Sequence, residues 1–285
     1  MSPVTVSVRA DATRQQRIAN GFSRAAERYD GEAQLQREVA DALLEALPLS
    51  ALTATAPAPL DVLDLGCGTG YAISQLIRRF GGRQNEIEGI GLDLAPGMIA
   101  SACQRHGDLP VRWLVGEAER LPLADASRDL IVSSLALQWC DSLDKALGEA
   151  ARVLRPGGWL AFTTLGDESL SELRDAWLRA DGTVPVNRFL TPSELEAELD
   201  VNGLRCRRLS WATHRTWHAD ARSALRALQR IGANTLTTRP VSAGLAGRAR
   251  MARRLQALEA HRVAAGIPTR YRVASVLMQR LSPGE

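Results

Sequence analysis

The sequence predicts an α/β fold with a doubly wound, mostly parallel β-sheet, and three observations support that prediction. From Leu60 onward, short apolar runs of strand length alternate with longer amphipathic segments. The first apolar run ends in a glycine-rich turn, Gly66 to Gly70, which leads into a predicted helix that starts near Tyr71. The 285 residues are enough to bury a full core. Strands that alternate with helices form parallel sheets with helices on both faces.

Two helices are predicted before the sheet, over residues 15–29 and 35–47. In the second, Leu35, Val39, Leu43 and Leu47 repeat at helical spacing. The segment 48–59, rich in Pro, Ala and Thr, is typical of a linker. We therefore divide the chain into N-terminal helices and linker (1–59), a ligand-binding core (60–165), an insertion (166–190) and a remainder (191–285).

The later elements follow from the same patterns. Thr191 as N-cap and Pro192 at the first helical position predict a helix to Leu199, and the preceding insertion 166–190 is a candidate lid. Beyond it we expect a strand, Arg-rich helices and a closing strand. The five core strands are predicted at 62–65, 87–93, 111–115, 130–134 and 159–164, and the C-terminal elements at 205–217, 220–261 and 271–278.

Charge is distributed unevenly along the chain. The formal net charge is +3, yet from Arg205 to the end arginines recur while the only acids are Asp220, Glu259 and Glu285. A basic face attracts nucleic acid, anionic membrane or an acidic protein, and composition does not choose among them. Lys145 is the sole lysine, so codon bias is a second interpretation of the arginine content.

Cysteine usage and hydropathy predict the compartment. The four cysteines form no C-x-x-C pair, and the chain starts without an apolar signal-like stretch. No apolar run approaches the roughly 20 residues of a membrane-spanning helix. We therefore expect a soluble, cytoplasmic protein without a membrane segment.

The motif with the clearest chemistry is the turn Asp64-Leu65-Gly66-Cys67-Gly68-Thr69-Gly70. Glycines there permit positive φ and close approach of a ligand to the backbone. Because a G-x-G alone also occurs in structural turns, the next strand is informative. It ends in Gly91-Leu92-Asp93, about twenty residues on, which places a carboxylate where ribose hydroxyls would lie.

Together with Gly116-Glu117-Ala118 after the third strand, this pattern resembles the class I S-adenosylmethionine methyltransferases, whose turn is D-x-G-x-G-x-G. The resemblance implies a Rossmann-like core and S-adenosylmethionine as methyl donor. Glu117 stands where that family usually has Asp. The resemblance also implies which residues bind the cofactor. Tyr29 closes over it, and the turn residues at its methionine half are Asp64, Gly66, Cys67, Gly68 and Gly70. Asp93 and Leu94 lie at the ribose, Glu117 and Ala118 at the adenine edge, and Ser134 and Leu135 at the amino-acid end.

The whole chain, and not only its core, resembles the malonyl-acyl-carrier-protein O-methyltransferases of the biotin pathway. The resemblance implies methylation of the free carboxylate of malonyl on acyl carrier protein or coenzyme A. The segments that carry it are Phe22 to Tyr29 with Leu35-Gln36-Arg37, Leu137-Gln138-Trp139-Cys140, Phe162 to Leu165, Ser169 to Leu173, Asn187-Arg188-Phe189-Leu190, and Ser223 to Arg226 with Ile231-Gly232-Ala233.

Three residues are candidates for the substrate side. Arg188 is our hypothesis for the cation that holds the substrate carboxylate, with a plain surface arginine as the alternative. Trp139 forms either an apolar pocket wall or part of the core, and Tyr29 could also serve only as packing. On the partner side, Arg222, Arg226 and Arg230 share one helix face, a candidate docking patch for an acidic acyl carrier protein.

Other functions are weighed against this one. A methyltransferase for another small acceptor, such as a quinone precursor or an unsaturated acid, and a catalytically silent S-adenosylmethionine-binding factor both stay open. Nucleic-acid methylation is disfavoured because Ser133-Ser134-Leu135-Ala136 replaces the Pro-Pro-Tyr motif of those enzymes. We expect no metal, since His214 and His218 lie on a predicted strand with no third ligand near. Cys67 has no adjacent base, which predicts a structural role.

Overall fold

The computed structural model describes residues 13–48, 52, 59–80, 87–183, 188–201, 203–230 and 245–282. Two helices come first, α1 (Arg14–Glu32) and α2 (Gln34–Glu45). The Thr13 side chain accepts a hydrogen bond from the Gln16 N–H, and the Gln16 side chain accepts one from the Thr13 N–H, so a capping box starts α1. The predicted linker 48–59 lies largely outside the described residues.

One seven-stranded sheet organises the molecule, in the spatial order β3-β2-β1-β4-β5-β7-β6. The first five strands are parallel, and β7 runs antiparallel to both β5 and β6. Strand order reverses between β1 and β4, which places a crevice at their carboxyl ends. The strands are β1 (Leu60–Leu65), β2 (Ile87–Asp93), β3 (Val111–Val115), β4 (Arg128–Ser134), β5 (Leu154–Leu165), β6 (Leu204–His218) and β7 (Ile267–Arg280).

Helices cover both faces of this sheet. Alternate residues of β1 point to opposite faces of the sheet. Val62 packs against α2 and the helix that follows β1, whereas Leu63 packs on the other face, against the helix between β4 and β5. A 3-10 turn at Leu137–Trp139 follows β4. The remaining helices are α3 (Tyr71–Phe80), α4 (Pro96–His106), α5 (Leu143–Val153), α6 (Ser171–Asp181), α7 (Pro192–Glu198), α8 (Ala221–Arg230) and α9 (Leu245–Glu259).

The insertion 166–190 contains α6, which is packed into the fold. Its Leu173 and Trp177 are buried in a cluster with residues of α2, α8 and β7. Arg254 of α9, 3% exposed, donates from Nε to Asp181 Oδ2 over 2.8 Å at the end of α6. The bridge between Gly166 and Leu190 closes the base of the insertion. Whether the insertion moves as a lid stays a prediction, and its residues 184–187 are outside the described part.

The predicted doubly wound α/β fold is confirmed, and every predicted strand is present. Strands β2 and β3 have the predicted bounds, and the other strands are longer than predicted. Strands β6 and β7 extend over Leu204–His218 and Ile267–Arg280, and β5 begins at Leu154. The Arg-rich segment 220–261 forms α8 and α9, with residues 231–244 outside the described ranges. Among the helices that the structure describes, none is long and apolar enough to cross a membrane.

Candidate active site

The glycine-rich turn between β1 and α3 forms the floor of the site. Gly66, Gly68 and Gly70 have φ of +74°, +54° and +87°, a region that favours glycine. A Cβ on Gly66 would lie 2.2 Å from the Ala136 Cβ, so this position allows the turn to pass beside the end of β4. A Cβ on Gly68 would meet nothing within 4 Å, because Gly68 faces the open cleft.

Asp93, at the end of β2, ties two loops together. Its Oδ2 accepts a hydrogen bond from the Gly68 N–H over 2.9 Å, and its Oδ1 accepts one from the Ala95 N–H over 2.8 Å. Burial raises the pKa of the Asp93 carboxyl, while these two N–H donors oppose that rise. The carboxylate lines the cleft, so its free lone pairs are available to hydroxyl donors of a ligand.

Two further groups lie behind the turn. Asp64 is 1% exposed and its Oδ2 accepts the Ile73 N–H in the first turn of α3 over 3.1 Å. Burial raises the pKa of Asp64 to about 7 in spite of that hydrogen bond. Burial, with Asp64 and Asp93 nearby, also raises the pKa of the Cys67 thiol well above its usual range. The thiol therefore stays protonated, which agrees with a structural role.

Helix α1 forms the roof of the cleft. Phe22 packs edge-on against Trp139, with ring centroids 5.2 Å apart. The Ser23 Oγ accepts the Gly97 N–H over 3.1 Å and attaches α1 to the start of α4. At the other end, the Arg14 Nη1 donates to the Trp139 carbonyl over 3.1 Å and pairs with Asp141. Phe22 on α1 and Trp139 in the 3-10 turn after β4 therefore contact each other and together close one side of the cleft.

Tyr29 lies at the inner end of this roof. Its ring packs with Ala26, Ala95 and Met98, and it lines the cleft. Burial, followed by the carboxylates of Asp93 and Asp30, raises the pKa of the Tyr29 hydroxyl above its usual range. A phenol in that state is not a general base, so Tyr29 can donate or accept a hydrogen bond or form a wall.

The cleft lies between the glycine-rich turn, α1 and the carboxyl ends of β2 and β4. An adenosyl ligand with a ribose diol fits these residues: open space lies before Gly68, a carboxylate lies at Asp93, and apolar walls are supplied by Leu65, Met98 and Leu137. Within the described ranges, no group of three or more His, Cys, Asp and Glu side chains is arranged to hold a metal ion.

The structure brings most of the predicted site residues together. Asp64 and Cys67 line an adjoining cavity between the turn and α2 instead. Gly70 lines neither cavity and is enclosed by two rings instead. A Cβ at this position would lie 2.6 Å from the Trp113 ring and 2.9 Å from that of His106. The predicted residues that line the main cleft are Tyr29, Gly66, Gly68, Asp93, Leu94, Glu117, Ala118, Ser134, Leu135 and Trp139.

Arg188 lies apart from this group. It lines a second cavity that shares Leu137 and Cys140 with the cofactor cleft, and its side chain is 74% exposed and paired with Glu194. Arg14 lines the same cavity. The position of Arg188 is compatible with both interpretations, a cation that holds the substrate carboxylate and a plain surface arginine.

Sequence reasoning missed several lining residues. Gln15, Ile18 and Phe22 of α1 line the cleft. The sequence predicts the helix but does not indicate which of its faces is turned toward the cleft. Arg37 of α2 lines the adjoining cavity beside the glycine turn. Glu119 also lines the cleft, and its carboxylate accepts from the Ser142 N–H over 2.8 Å and from the Gln15 Nε2 over 3.1 Å.

Comparison with known proteins agrees with this site. Residues 63–162 match a family model described as a methyltransferase domain. The YcgJ protein from Bacillus subtilis aligns with a TM-score of 0.57 at 22% identity, over 86% of this chain and 100% of that chain, which shows the fold. Fold, family model and glycine-rich cleft define a class I methyltransferase that uses S-adenosylmethionine as methyl donor.

Curated relatives give the family. The malonyl-[acyl-carrier protein] O-methyltransferase of Methylococcus capsulatus is 41% identical over 80% of each chain. That of Hahella chejuensis is 35% identical over 95% of this chain and 92% of its own. This chain belongs to the malonyl-[acyl-carrier protein] O-methyltransferase family. It also matches the biotin biosynthesis bifunctional protein BioHC of Cellvibrio japonicus at 38% identity, where it spans about half (50%) of the relative's length.

Proposed function

We propose that this protein transfers the methyl group of S-adenosylmethionine to the free carboxylate of malonyl-acyl carrier protein, in biotin synthesis. The observation that carries this proposal is the extent of the likeness: it covers 95% of the chain, and so includes the insertion and the basic C-terminal segment as well as the cofactor cleft. Neither a different small acceptor nor a silent cofactor-binding role has comparable support.

The reaction needs no general base from the protein. A malonyl half-acid is already ionised near neutral pH, so its oxygen is a ready nucleophile. Bound S-adenosylmethionine supplies an electrophilic methyl group on a sulfonium. The chain contributes position and exclusion of water: Phe22 and Trp139 close the cleft, while Leu65 and Leu137 form its apolar wall. Alignment of the two reacting groups in a water-poor site accounts for catalysis.

The product has lost the substrate's negative charge. A site built for apolar acyl chains disfavours a buried carboxylate strongly, whereas a methyl ester enters it without that penalty. Methylation therefore converts a charged primer into one that an enzyme for apolar chain extension can accept.

A methylation assay tests the proposal. Purified protein and S-adenosylmethionine are incubated with malonyl-acyl carrier protein, malonyl-coenzyme A and acetyl-acyl carrier protein in parallel, and intact masses are measured. We expect one added methylene mass on the malonyl carrier and none on the acetyl carrier. Added mass on neither malonyl thioester, with cofactor still bound, would overturn the malonyl assignment and favour the silent-binding alternative.

We further propose that Arg188 holds the substrate carboxylate from the second cavity. The Arg188→Gln variant should raise KM for the malonyl substrate about tenfold, because a charge-assisted contact is lost, and leave S-adenosylhomocysteine affinity unchanged. Arg179→Gln is the matched control, since Arg179 is an exposed arginine of the same insertion that pairs with Asp175. Equal kinetics for both variants would identify Arg188 as a surface residue.

A further inference from the structure

A further groove runs along α1, on the face adjacent to the one that lines the cofactor cleft. It lies between α1 and α8. The residues that line it are Gly21, Arg24, Ala25, Arg28, Arg226, Gln229 and Arg230. The two small residues of α1, Gly21 and Ala25, let α8 approach closely, so arginines from both helices converge on one depression.

Positive charge in this groove is only partly compensated. Arg230 pairs with Glu32 of α1. Arg24, Arg28 and Arg226 are exposed, and none of them pairs with a carboxylate of the described residues. Within the described part of the chain, no acid lines the groove. An uncompensated cluster of guanidinium groups attracts carboxylates or phosphates.

The arginines form two matched rows. Arg24 and Arg28 are four residues apart on α1, and Arg226 and Arg230 are four apart on α8. Four residues advance a helix by about 6 Å. Acidic side chains four apart on a partner helix have the same spacing and would face both rows together. The groove therefore favours an acidic helix over a lone small anion.

We propose that this groove between α1 and α8 is the docking site for an acidic helix of the acyl carrier protein that bears the substrate. The inference rests on the proposed function and extends the patch Arg222, Arg226 and Arg230 to a composite surface that includes α1. Adjacent faces of α1 line the groove and the cofactor cleft. A substrate arm that starts at the groove thus has a short path round α1 to the reaction centre.

The test compares the carrier-bound substrate with a malonyl thioester of a short fragment of the arm, which lacks the carrier protein. The double variant Arg24→Glu with Arg28→Glu should raise KM for malonyl-acyl carrier protein about tenfold or more, because two attractive contacts become repulsive. Its turnover of malonyl-N-acetylcysteamine should equal that of the wild type. The matched control reverses two exposed arginines of β6, Arg205→Glu with Arg208→Glu, at the opposite end of the sheet.

Each outcome has a defined meaning. An unchanged KM for the carrier substrate in the α1 variant, or an equal rise in the β6 control, would overturn the docking site while leaving the methyltransferase intact. Equal loss with both substrates in the α1 variant would also overturn it, since the change would then act on the cleft itself. Failure of the wild type to methylate either malonyl thioester would instead refute the proposed function, and the docking site with it.

Discussion

At the residue scale, the glycines of the turn have different roles. Gly68 faces the cleft with free space before it, whereas Gly70 is enclosed by the rings of Trp113 and His106. Both have positive φ, so an alanine at either position brings backbone strain of roughly 1 kcal/mol. The difference between the two substitutions therefore isolates the effect of the added methyl group.

We expect Gly68→Ala and Gly70→Ala to fail in different ways. Gly68→Ala should keep most of its thermal stability and lose at least about tenfold in affinity for S-adenosylhomocysteine, because its methyl group occupies ligand space. Gly70→Ala should lower Tm strongly, because its methyl group overlaps the Trp113 ring. Thermal melts and calorimetric titration measure both. The same loss of stability in both variants would contradict this division.

Asp64 gives the folded protein a pH dependence. Its pKa is raised from 3.8 to about 7 by burial, so the folded chain holds a proton that the unfolded chain releases between these values. Stability from this group is complete at low pH and is lost as pH rises toward 7. From about pH 5 to about pH 8, the ligand-free wild type should lose roughly 2 kcal/mol relative to Asp64→Asn.

Urea unfolding of both proteins at the two pH values measures that difference. An asparagine keeps an acceptor for the Ile73 N–H but does not titrate. The difference between the two proteins therefore reports the titration of Asp64 and not the loss of this hydrogen bond. Parallel pH profiles for the two proteins would show that Asp64 is ionised in the folded state throughout this range.

At the element scale, α1 is a roof attached along its length, at its centre through Ser23 to Gly97 and also at both ends. Its first turn is attached through Arg14 to Trp139 and Asp141, and its last turn through Glu32 to Arg230. The Arg14→Ala variant should release the first turn and raise the dissociation rate of S-adenosylhomocysteine about fivefold, which corresponds to about 1 kcal/mol, the typical net contribution of one hydrogen bond. Stopped-flow displacement measures that rate.

A matched control for this variant is Gln34→Ala at the start of α2. Gln34 is exposed and donates to Glu38 within its own helix, away from the cleft. It should leave the dissociation rate unchanged. If Arg14→Ala also left the rate unchanged, α1 would not be the element that retains the cofactor.

The elements were largely predictable from the sequence, for physical reasons. Parallel strands buried on both faces are short apolar runs, so β1 and β4 are recognisable from their composition alone. The ends of β7 were predicted too short, because β6 and β7 satisfy each other's backbone hydrogen bonds over residues that are not apolar, such as Arg270 and Gln279. Pairing between distant strands has no signal in local composition.

The site was predictable where a local motif defines it. The turn at Gly66 and Gly68 and the carboxylate of Asp93 lie together as expected, since carboxyl ends of adjacent parallel strands meet at one edge. The roof and the groove were not predictable in the same way. Arg28 and Arg226 become neighbours only because α1 and α8 pack together, and no spacing along the chain indicates that contact.

At the scale of the whole molecule, one helix contacts both proposed ligands. Ile18, Phe22 and Tyr29 on one face of α1 line the cofactor cleft, while Arg24 and Arg28 on the adjacent face line the groove. A carrier seated in the groove would hold α1 against α8 and thus over the cleft. A cofactor in the cleft would in turn hold α1 in the position that completes the groove.

Each ligand should therefore strengthen the binding of the other, and linkage requires the two effects to be equal. We expect acyl carrier protein to raise affinity for S-adenosylhomocysteine about fivefold, and S-adenosylhomocysteine to raise affinity for the carrier by the same factor. Two calorimetric titrations, each with and without the second ligand, measure both factors. The Arg24→Glu, Arg28→Glu variant should abolish the coupling and keep its affinity for S-adenosylhomocysteine alone. Independent binding in the wild type would mean that α1 occupies one position whether or not the groove is filled.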